Sequence, residues 1–380
     1  METCWDIFHI DGESGLRGGE RQLLYLAASL RAAGHRNTVV CRAGSPLEAE
    51  TRRQGFAAAA LPFLMEWDPV SAWRLARLAG GARRPVLHAH TAHAAALACL
   101  AGAWKGLPWV AHRRVDFETG NPLSRRLKYG RAGRVVAVSR AVAGLLTGAG
   151  IAPAKIAVVP DGLPVGAREC GWAGIDAEKF APVSAGERTL LRRRLQEAYG
   201  VPETGTWIGN LAALVPHKDH DTLLAACVLL LRGRPGVSVL IGGEGPEGPR
   251  LVKSVERLGL AGRLFILGQV DEPATLLKCL DIFVLSSWGE GMGSVLLEAA
   301  ACGVPVAATT AGGIPEIVAD RSSGLLAPPR DPEALAGALA RLIDDPALGG
   351  RLAARAREDL PNFGLQRMAR RMEDVYASLA

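Results

Sequence analysis

The sequence predicts an α/β protein made of two doubly wound parallel-sheet units in tandem. Three observations carry this. Apolar, strand-like runs alternate with helical patterns almost from the first residue. The alternation breaks once, after PDGLPVG at 160–166, and it then starts again and continues to about residue 309. Repeated β-α-β with short connections gives a parallel sheet covered by helices on both faces.

Taken in order, WDIFHI (5–10) reads as a strand and LLYLAASLRAAGH (23–35) as an amphipathic helix ending at Gly34. NTVVC (37–41), PVLHAH (85–90) and PWVAH (108–112) are further strands. RVVAVS (134–139) follows, then a helix from Arg140, then KIAVVP (155–160). Residues 166–205 contain no clear strand but include the charged helical piece GERTLLRRRLQEAYG, which sets a domain boundary near residue 170. TWIGNLAAL, VSVLIGG, RLFILG, DIFVLSS and VPVAAT are the strands of the second unit. The expected division is a first domain over 1–170, a second over 171–365, and a final helix over 366–380 packing back toward the first. Two such sheets bind ligands at their strand ends, which predicts a central cleft that the domains face.

The chain has 380 residues, 49% of them hydrophobic and 22% charged, enough for two cores and too apolar for disorder. Its seven cysteines form no CxxC pair, which argues against a zinc cluster or disulfide scaffold and fits a reducing cytoplasm. METCWDIFHID lacks the basic start and long apolar core of a signal peptide, and AAALACLAGAW (94–104) is too short to span a bilayer. A cytoplasmic protein, soluble or peripheral at the inner membrane face, is expected.

Residues 1–165 hold 21 Lys and Arg against 12 Asp and Glu, net +9, which leaves 23 against 26, net −3, for the remainder. The basic half suits an anionic partner such as a phosphate-bearing acceptor or an anionic membrane surface, unless the chain is simply Arg-rich throughout. The basic residues are not interleaved with aromatics, so nucleic acid is not expected. WDPVSAWRLARL (67–78) is amphipathic and reads either as a membrane-contact helix or as a core-facing one.

Several glycine-containing strand exits bear on chemistry. GLRGGERQLLYLAASL leads through Gly18 and Gly19 into a helix with Glu20 in its first turn, a loop that can approach an anion or a bulky substrate closely. It is not the G-x-G-x-x-G dinucleotide fingerprint. GNLAALVPHKDHDTLLAA sets Lys218 just before a helix capped by Asp219, where a lysine can neutralise a diphosphate. VLIGGEGP carries Gly242, Gly243 and Gly245, and FILGQV ends a strand at Gly268. In DIFVLSSWGEGMGSVLLEAAACGVPV, Gly291, Met292 and Gly293 form the loop between a buried strand and a short helix. Glu298 lies one turn into that helix, within reach of a ribose diol, and Glu290 lies in the loop where a phosphate-linked sugar would sit. Taken alone, each of these could be an ordinary turn or surface residue, but together they share one strand–glycine loop–helix context.

The two acids eight residues apart, with GGERQLLYLAASLRAAGH, HAHTAHAAA, VVAVSRAV, IAVVPDGL, LVPHKDHDTLLAA, IGGEGP and TAGGIPEIVADRSSGLLAPP in this order, resemble the retaining glycosyltransferases of family 4. The resemblance covers nearly the whole chain and implies the GT-B fold, two Rossmann-like domains facing a cleft. It implies that Lys218 binds the diphosphate of a nucleotide-sugar donor, Glu298 its ribose and Glu290 the donor sugar. Gly18, Gly19, Gly243, Gly268, Gly291, Met292 and Gly293 would line the donor site, and His112 in PWVAHRR would contact the transferred sugar. One position departs: where the family usually carries an arginine five residues before the lysine, this chain has Ala213. His217, Arg113 and Arg114 are the nearby cations that could substitute.

The resemblance implies glycosyl transfer with retention to a glycan or lipid-linked acceptor, in cell-envelope polysaccharide or lipopolysaccharide synthesis. No DxD-like acid pair follows a strand, so neither metal nor cofactor is expected. The rival readings are a sugar-nucleotide epimerase or hydrolase of the same fold and a non-catalytic nucleotide-sugar-binding homologue.

Overall fold

A computed structural model describes residues 4–116, 122–165, 176 and 178–379. Its residues separate into two compact units, Met1–Ala177 with Asn362–Ala380, and Glu178–Pro361. The boundary expected near residue 170 lies outside the described residues.

Among the described residues, the first unit holds one seven-stranded sheet. Its strands are β1 (Asp6–Asp11), β2 (Arg36–Arg42), β3 (Ala57–Leu61), β4 (Pro85–Ala89), β5 (Trp109–Arg113), β6 (Arg134–Ala137) and β7 (Ile156–Val158). They lie in the order β3-β2-β1-β4-β5-β6-β7 and every pairing is parallel. The sequence of strands reverses direction between β1 and β4, and β1 is buried along its whole length, as a strand covered on both faces must be.

Helix starts in this unit are closed by short polar side chains. Ser45, Asp68, Thr91 and Ser139 each accept a hydrogen bond from a backbone N–H of the first turn. The helix Gly18–Ala32 is closed differently: the Glu20 carboxylate accepts from the Arg17 N–H at 2.5 Å. Ile7, Leu26, Leu30, Val86, Val110 and Val136 form the core with Leu365, Met368, Met372 and Tyr376 of the last helix, Leu365–Ala377. The chain's final helix is thus part of the first unit's core.

The second unit's described residues form a six-stranded sheet. Its strands are β8 (Thr206–Leu211), β9 (Val237–Gly242), β10 (Leu264–Gly268), β11 (Ile282–Leu285), β12 (Val306–Thr309) and β13 (Leu325–Ala327). The order is β10-β9-β8-β11-β12-β13, again all parallel, with the reversal between β8 and β11. Ile208, Val239, Ile241, Val284 and Ala307 pack against Leu223, Leu335 and Leu339 of the covering helices.

Two strands, β3 and β13, are absent from the runs the sequence singles out. Both are edge strands. AAAAL has little strand propensity of its own, and LLA is three residues between turns. An edge position needs only one paired neighbour, so the ladder rather than side-chain pattern specifies them.

The segment 67–78 resolves into the helix Pro69–Ala79. It buries Ser71, Ala72, Leu75, Ala76 and Ala79 but leaves Val70, Trp73 and Leu78 exposed, with the Arg77 guanidinium over the Trp73 ring. No helix among the described residues is long and apolar enough to cross a membrane. Six cysteines, all but Cys170, which lies outside the described residues, are free.

Candidate active site

The sequence-predicted residues divide between the units. Gly18, Gly19 and His112 belong to the first, and Lys218, Gly243, Gly268, Glu290, Gly291, Met292, Gly293 and Glu298 to the second.

In the second unit, these residues gather at the carboxyl ends of the strands. Lys218 ends a 3-10 turn after β8, and Asp219, at φ 51°, turns the chain into the helix His220–Leu230. Asp219 then caps that helix through Thr222, its carboxylate accepting from both the backbone N–H and the hydroxyl. An aspartate tolerates this left-handed conformation better than most residues. The Lys218 ammonium donates to Glu290 Oε2 at 2.5 Å, and the Ser287 hydroxyl donates to the same oxygen at 3.1 Å. The loops after β8 and β11 are therefore joined where the strand order reverses, the point at which open α/β sheets bind ligands.

Two further bonds tie the same loops together. The Ser286 hydroxyl donates to the Lys218 carbonyl at 3.0 Å, and the Trp288 N–H donates to the His217 carbonyl at 3.0 Å. Beneath them, Asn210 at the end of β8 donates to the Val284 carbonyl and accepts from His220 Nε2. Burial, followed by the Lys218 charge, lowers the His220 pKa to about 4, so this histidine is neutral.

Glycine is required at particular points here. A Cβ at Gly312 would stand 1.8 Å from the Glu290 carbonyl oxygen, which accepts from the Gly313 N–H at 3.0 Å. A Cβ at Gly243 would stand 1.9 Å from the Ala212 carbonyl oxygen, and the Gly243 N–H bonds the Gly268 carbonyl at 2.7 Å. Gly293, at φ 82°, lies against the Glu290 side chain. Glu298 is buried on the seven-residue helix Val295–Ala301, and Met292, in the loop before that helix, is buried as well. Ala213 lies in the half-buried turn between Ala212 and Leu214, whose N–H donates to the Glu244 carbonyl.

In the first unit, Gly18 and Gly19 open the helix after β1. A Cβ at Gly19 would meet nothing within 4 Å, so the protein's own packing does not demand glycine there. His112, on β5, belongs to a group whose other buried members the motifs did not single out: His9 on β1, His88 and His90 at the end of β4, and Tyr376, with the half-buried Arg114, already noted as a candidate cation, beside them. His9 and His88 are paired in register across the two strands. The H-x-H of PVLHAH was the available signal, since a period of two puts His88 and His90 on one face. Tyr376 had none, being 288 residues from the histidine it touches.

The ring nitrogens are nearly all engaged. Arg114 Nη1 donates to His90 Nδ1 at 2.8 Å, while Arg114 Nε bonds Asp161 at 3.1 Å. His90 Nε2 lies 3.0 Å from His9 Nδ1, and His9 Nε2 2.9 Å from Asn37 Oδ1. His88 lies 2.8 Å from the Tyr376 hydroxyl and 3.3 Å from His112 Nδ1. Among the described residues, His112 Nε2 and Arg114 Nη2 are buried nitrogens without a partner. His9, His88 and His90 stand within metal-bridging distance, but their nitrogens already hold one another, Asn37 and a guanidinium, which fits a hydrogen-bond network better than a cation's ligands.

Burial, reinforced by the Arg114 charge, pushes the pKa values of His88, His90 and His112 well below the usual histidine range. His9 falls to about 4 for the same leading reason. Asp11, at the end of β1, moves the other way, to about 7, through burial and the neighbouring Glu20 charge.

Comparison with known proteins matches residues 16–166 to the family described as Glycosyltransferase Family 4 and residues 192–359 to Glycosyl transferases group 1. The D-inositol 3-phosphate glycosyltransferase of Salinispora arenicola is 32% identical over 215 residues, 53% of this chain and 48% of that protein. The N-acetyl-alpha-D-glucosaminyl L-malate synthase of Bacillus anthracis is 30% identical over 194 residues, 50% of this chain and 51% of that one. The chain thus spans about half the length of the curated relatives it matches. Anabaena HepE, solved with UDP and glucose, superimposes with a TM-score of 0.84 at 21% identity, covering 98% of this chain and 100% of that one. The sucrose-phosphate synthase of Thermosynechococcus elongatus superimposes with a TM-score of 0.77 at 20% identity, covering 99% of each. These likenesses identify the fold as GT-B.

Proposed function

Because the chain belongs to glycosyltransferase family 4, we propose that it transfers a sugar from a nucleoside-diphosphate sugar to an anionic acceptor, with retention at the anomeric carbon. The observation that carries this reading is the Lys218–Glu290 pair at the strand-order reversal of the second unit, with the buried Glu298 one turn into the helix that follows the Glu290 loop.

Loss of the nucleoside diphosphate builds negative charge on phosphate oxygens, and a positioned ammonium stabilises that charge as it develops. Lys218 takes this role, which makes a metal unnecessary. Donor binding draws the ammonium from Glu290 toward the phosphates, and the Glu290 carboxylate, still held by Ser287, accepts from sugar hydroxyls. Glu298 accepts from the ribose diol. The acceptor attacks on the face the diphosphate leaves, with a phosphate oxygen taking its proton. His112 and the Gly18–Gly19 wall hold the transferred sugar. That Gly19 has room for a side chain, yet carries none, supports a ligand passing close to this backbone.

The basic first half suits a phosphate-bearing acceptor. Two relatives are named after D-inositol 3-phosphate and L-malate, both anions, which supports an acidic acceptor group. A lipid-linked or phosphorylated glycan of the cell envelope, met at the inner membrane face, has the same chemistry, and the exposed Val70, Trp73 and Leu78 beside Arg77 offer a contact with an anionic bilayer.

The test is a panel of UDP-, GDP- and ADP-sugars scored for nucleotide release with EDTA present, on the wild type and Glu298→Ala. Release from one donor that collapses in the variant supports a metal-independent transferase and names its nucleotide. Nucleotide binding without turnover, with acidic acceptors supplied, overturns the catalytic reading.

A further inference from the structure

We infer that Tyr376 is a positioning residue which, acting through His88, holds His112 in the tautomer that presents an Nε2–H to its ligand. The inference deepens the proposed role of His112 and rests on it for its catalytic meaning, though not for its chemistry.

Tyr376 is fully buried among Trp5, Ile7, Leu26 and Met372, and its polar partner among the described residues is His88 Nδ1 at 2.8 Å. Were the hydroxyl to accept there, its own proton would point into apolar packing, which costs the full penalty of an unmet buried donor. It therefore donates. His88 Nδ1 is then a lone pair, and the single proton of this neutral ring sits on Nε2.

That nitrogen faces His112 Nδ1 at 3.3 Å, and the two rings are 8° from parallel with centroids 5.4 Å apart. This is the arrangement of imidazoles meeting edge to edge, nitrogen to nitrogen, rather than face on face. His88 donates, His112 Nδ1 accepts, and the His112 proton is left on Nε2. Among the described residues that atom is buried and has no partner.

The neighbouring chain is set independently and ends elsewhere. Arg114 can only donate, so His90 Nδ1 accepts and His90 Nε2–H donates to His9 Nδ1. His9 Nε2–H then donates to Asn37 Oδ1, and Asn37 Nδ2 donates to the His35 carbonyl at 3.0 Å. One chain runs from Arg114 to a backbone carbonyl and leaves no proton over. The other runs from Tyr376 and delivers its last N–H to a buried position with no acceptor among the described residues. A donor there suits a hydroxyl or phosphate oxygen. A bare nitrogen lone pair in the same place repels a phosphate oxygen and any hydroxyl whose proton is used elsewhere.

Tyr376→Phe removes one oxygen and leaves the packing in place. In the full chain with 15N-labelled histidine, long-range 1H–15N correlation reads each neutral tautomer directly. The wild type is expected to show His112 protonated at Nε2, and Tyr376→Phe to move it toward Nδ1–H. Nucleotide release from the accepted donor should fall roughly tenfold, the loss of one ordinary hydrogen bond, with the fold retained and the melting temperature modestly lowered as His88 Nδ1 loses its buried partner. In a His112→Gln background, where an amide donor replaces the imidazole, Tyr376→Phe should have no further effect. The inference is overturned if the wild type shows His112 protonated at Nδ1, if Tyr376→Phe leaves the tautomer on Nε2, or if the two substitutions act additively. If the tautomer behaves as stated while His112→Ala leaves transfer intact, the relay stands and the catalytic role of His112 falls.

Discussion

Lys218 Nζ and Glu290 Oε2 are 2.5 Å apart, and this contact ties the loop after β8 to the loop after β11 across the reversal of the sheet. Both side chains are largely shielded from water, so losing either partner costs stability. Lys218→Met should destabilise the second unit by about 1–3 kcal/mol and abolish measurable diphosphate binding. Glu290→Gln keeps a carbonyl for Ser287 and frees the ammonium. It should retain or tighten nucleotide binding while transfer falls at least roughly a hundredfold. Calorimetric titration with UDP, GDP and ADP, beside turnover, separates the two variants, and equal effects on both readouts would refute the division of roles.

The buried histidines make acid destabilising. Unfolded, each takes up a proton near pH 6.5, whereas folded His9 holds out to about 4 and His88, His90 and His112 are likewise depressed. Between those values the unfolded chain binds more protons, so stability falls as pH drops from 6.5 toward 4, by up to about 1.4 kcal/mol per pH unit per histidine. Asp11 opposes this, because folded it protonates near 7 and unfolded only near 3.8. Asp11→Asn should raise stability above pH 7 and steepen the decline below 6.5. Urea midpoints at pH 4 to 8 measure both slopes.

Gly312 and Gly19 should respond in opposite ways to alanine. At Gly312, φ is +49° and the new Cβ would overlap the Glu290 carbonyl oxygen. The loop must move, at a cost of about 2 kcal/mol or more, and Glu290 moves with it. At Gly19 the Cβ meets no protein atom, so Gly19→Ala should keep or raise stability by up to about 1 kcal/mol through helix propensity while lowering transfer. Melting curves and turnover on both variants decide the matter, and undiminished transfer in Gly19→Ala would remove that backbone from the ligand site.

Ala213→Arg restores the second cation of the family's pattern. A charge-assisted bond to the leaving phosphate, worth about 1.5–3 kcal/mol, should tighten diphosphate binding or raise turnover at least roughly tenfold. If both are unchanged, another cation already fills the role. Arg114, whose Nη2 is buried without a partner among the described residues, is then the residue to replace next.

What the sequence determined by itself was everything that local periodicity and punctuation encode. Eleven of the strands are apolar runs bounded by turns, legible because a strand buried on both faces has few other compositions. The glycine loops, Lys218 and the two glutamates were legible because each motif lies within some eighteen consecutive residues. The tertiary structure alone decided the relationships between distant segments. β3 and β13 exist because an edge offers them a ladder. Lys218 meets Glu290 across 72 residues, and four histidines from three strands share one buried network. The last helix, expected from the sequence to pack back toward the first domain, contributes the hydroxyl on which the state of His112 turns. Local signals come from the backbone's own repeat, whereas the protonation of a buried ring depends on which partner the fold brings against it, and sequence spacing carries no record of that.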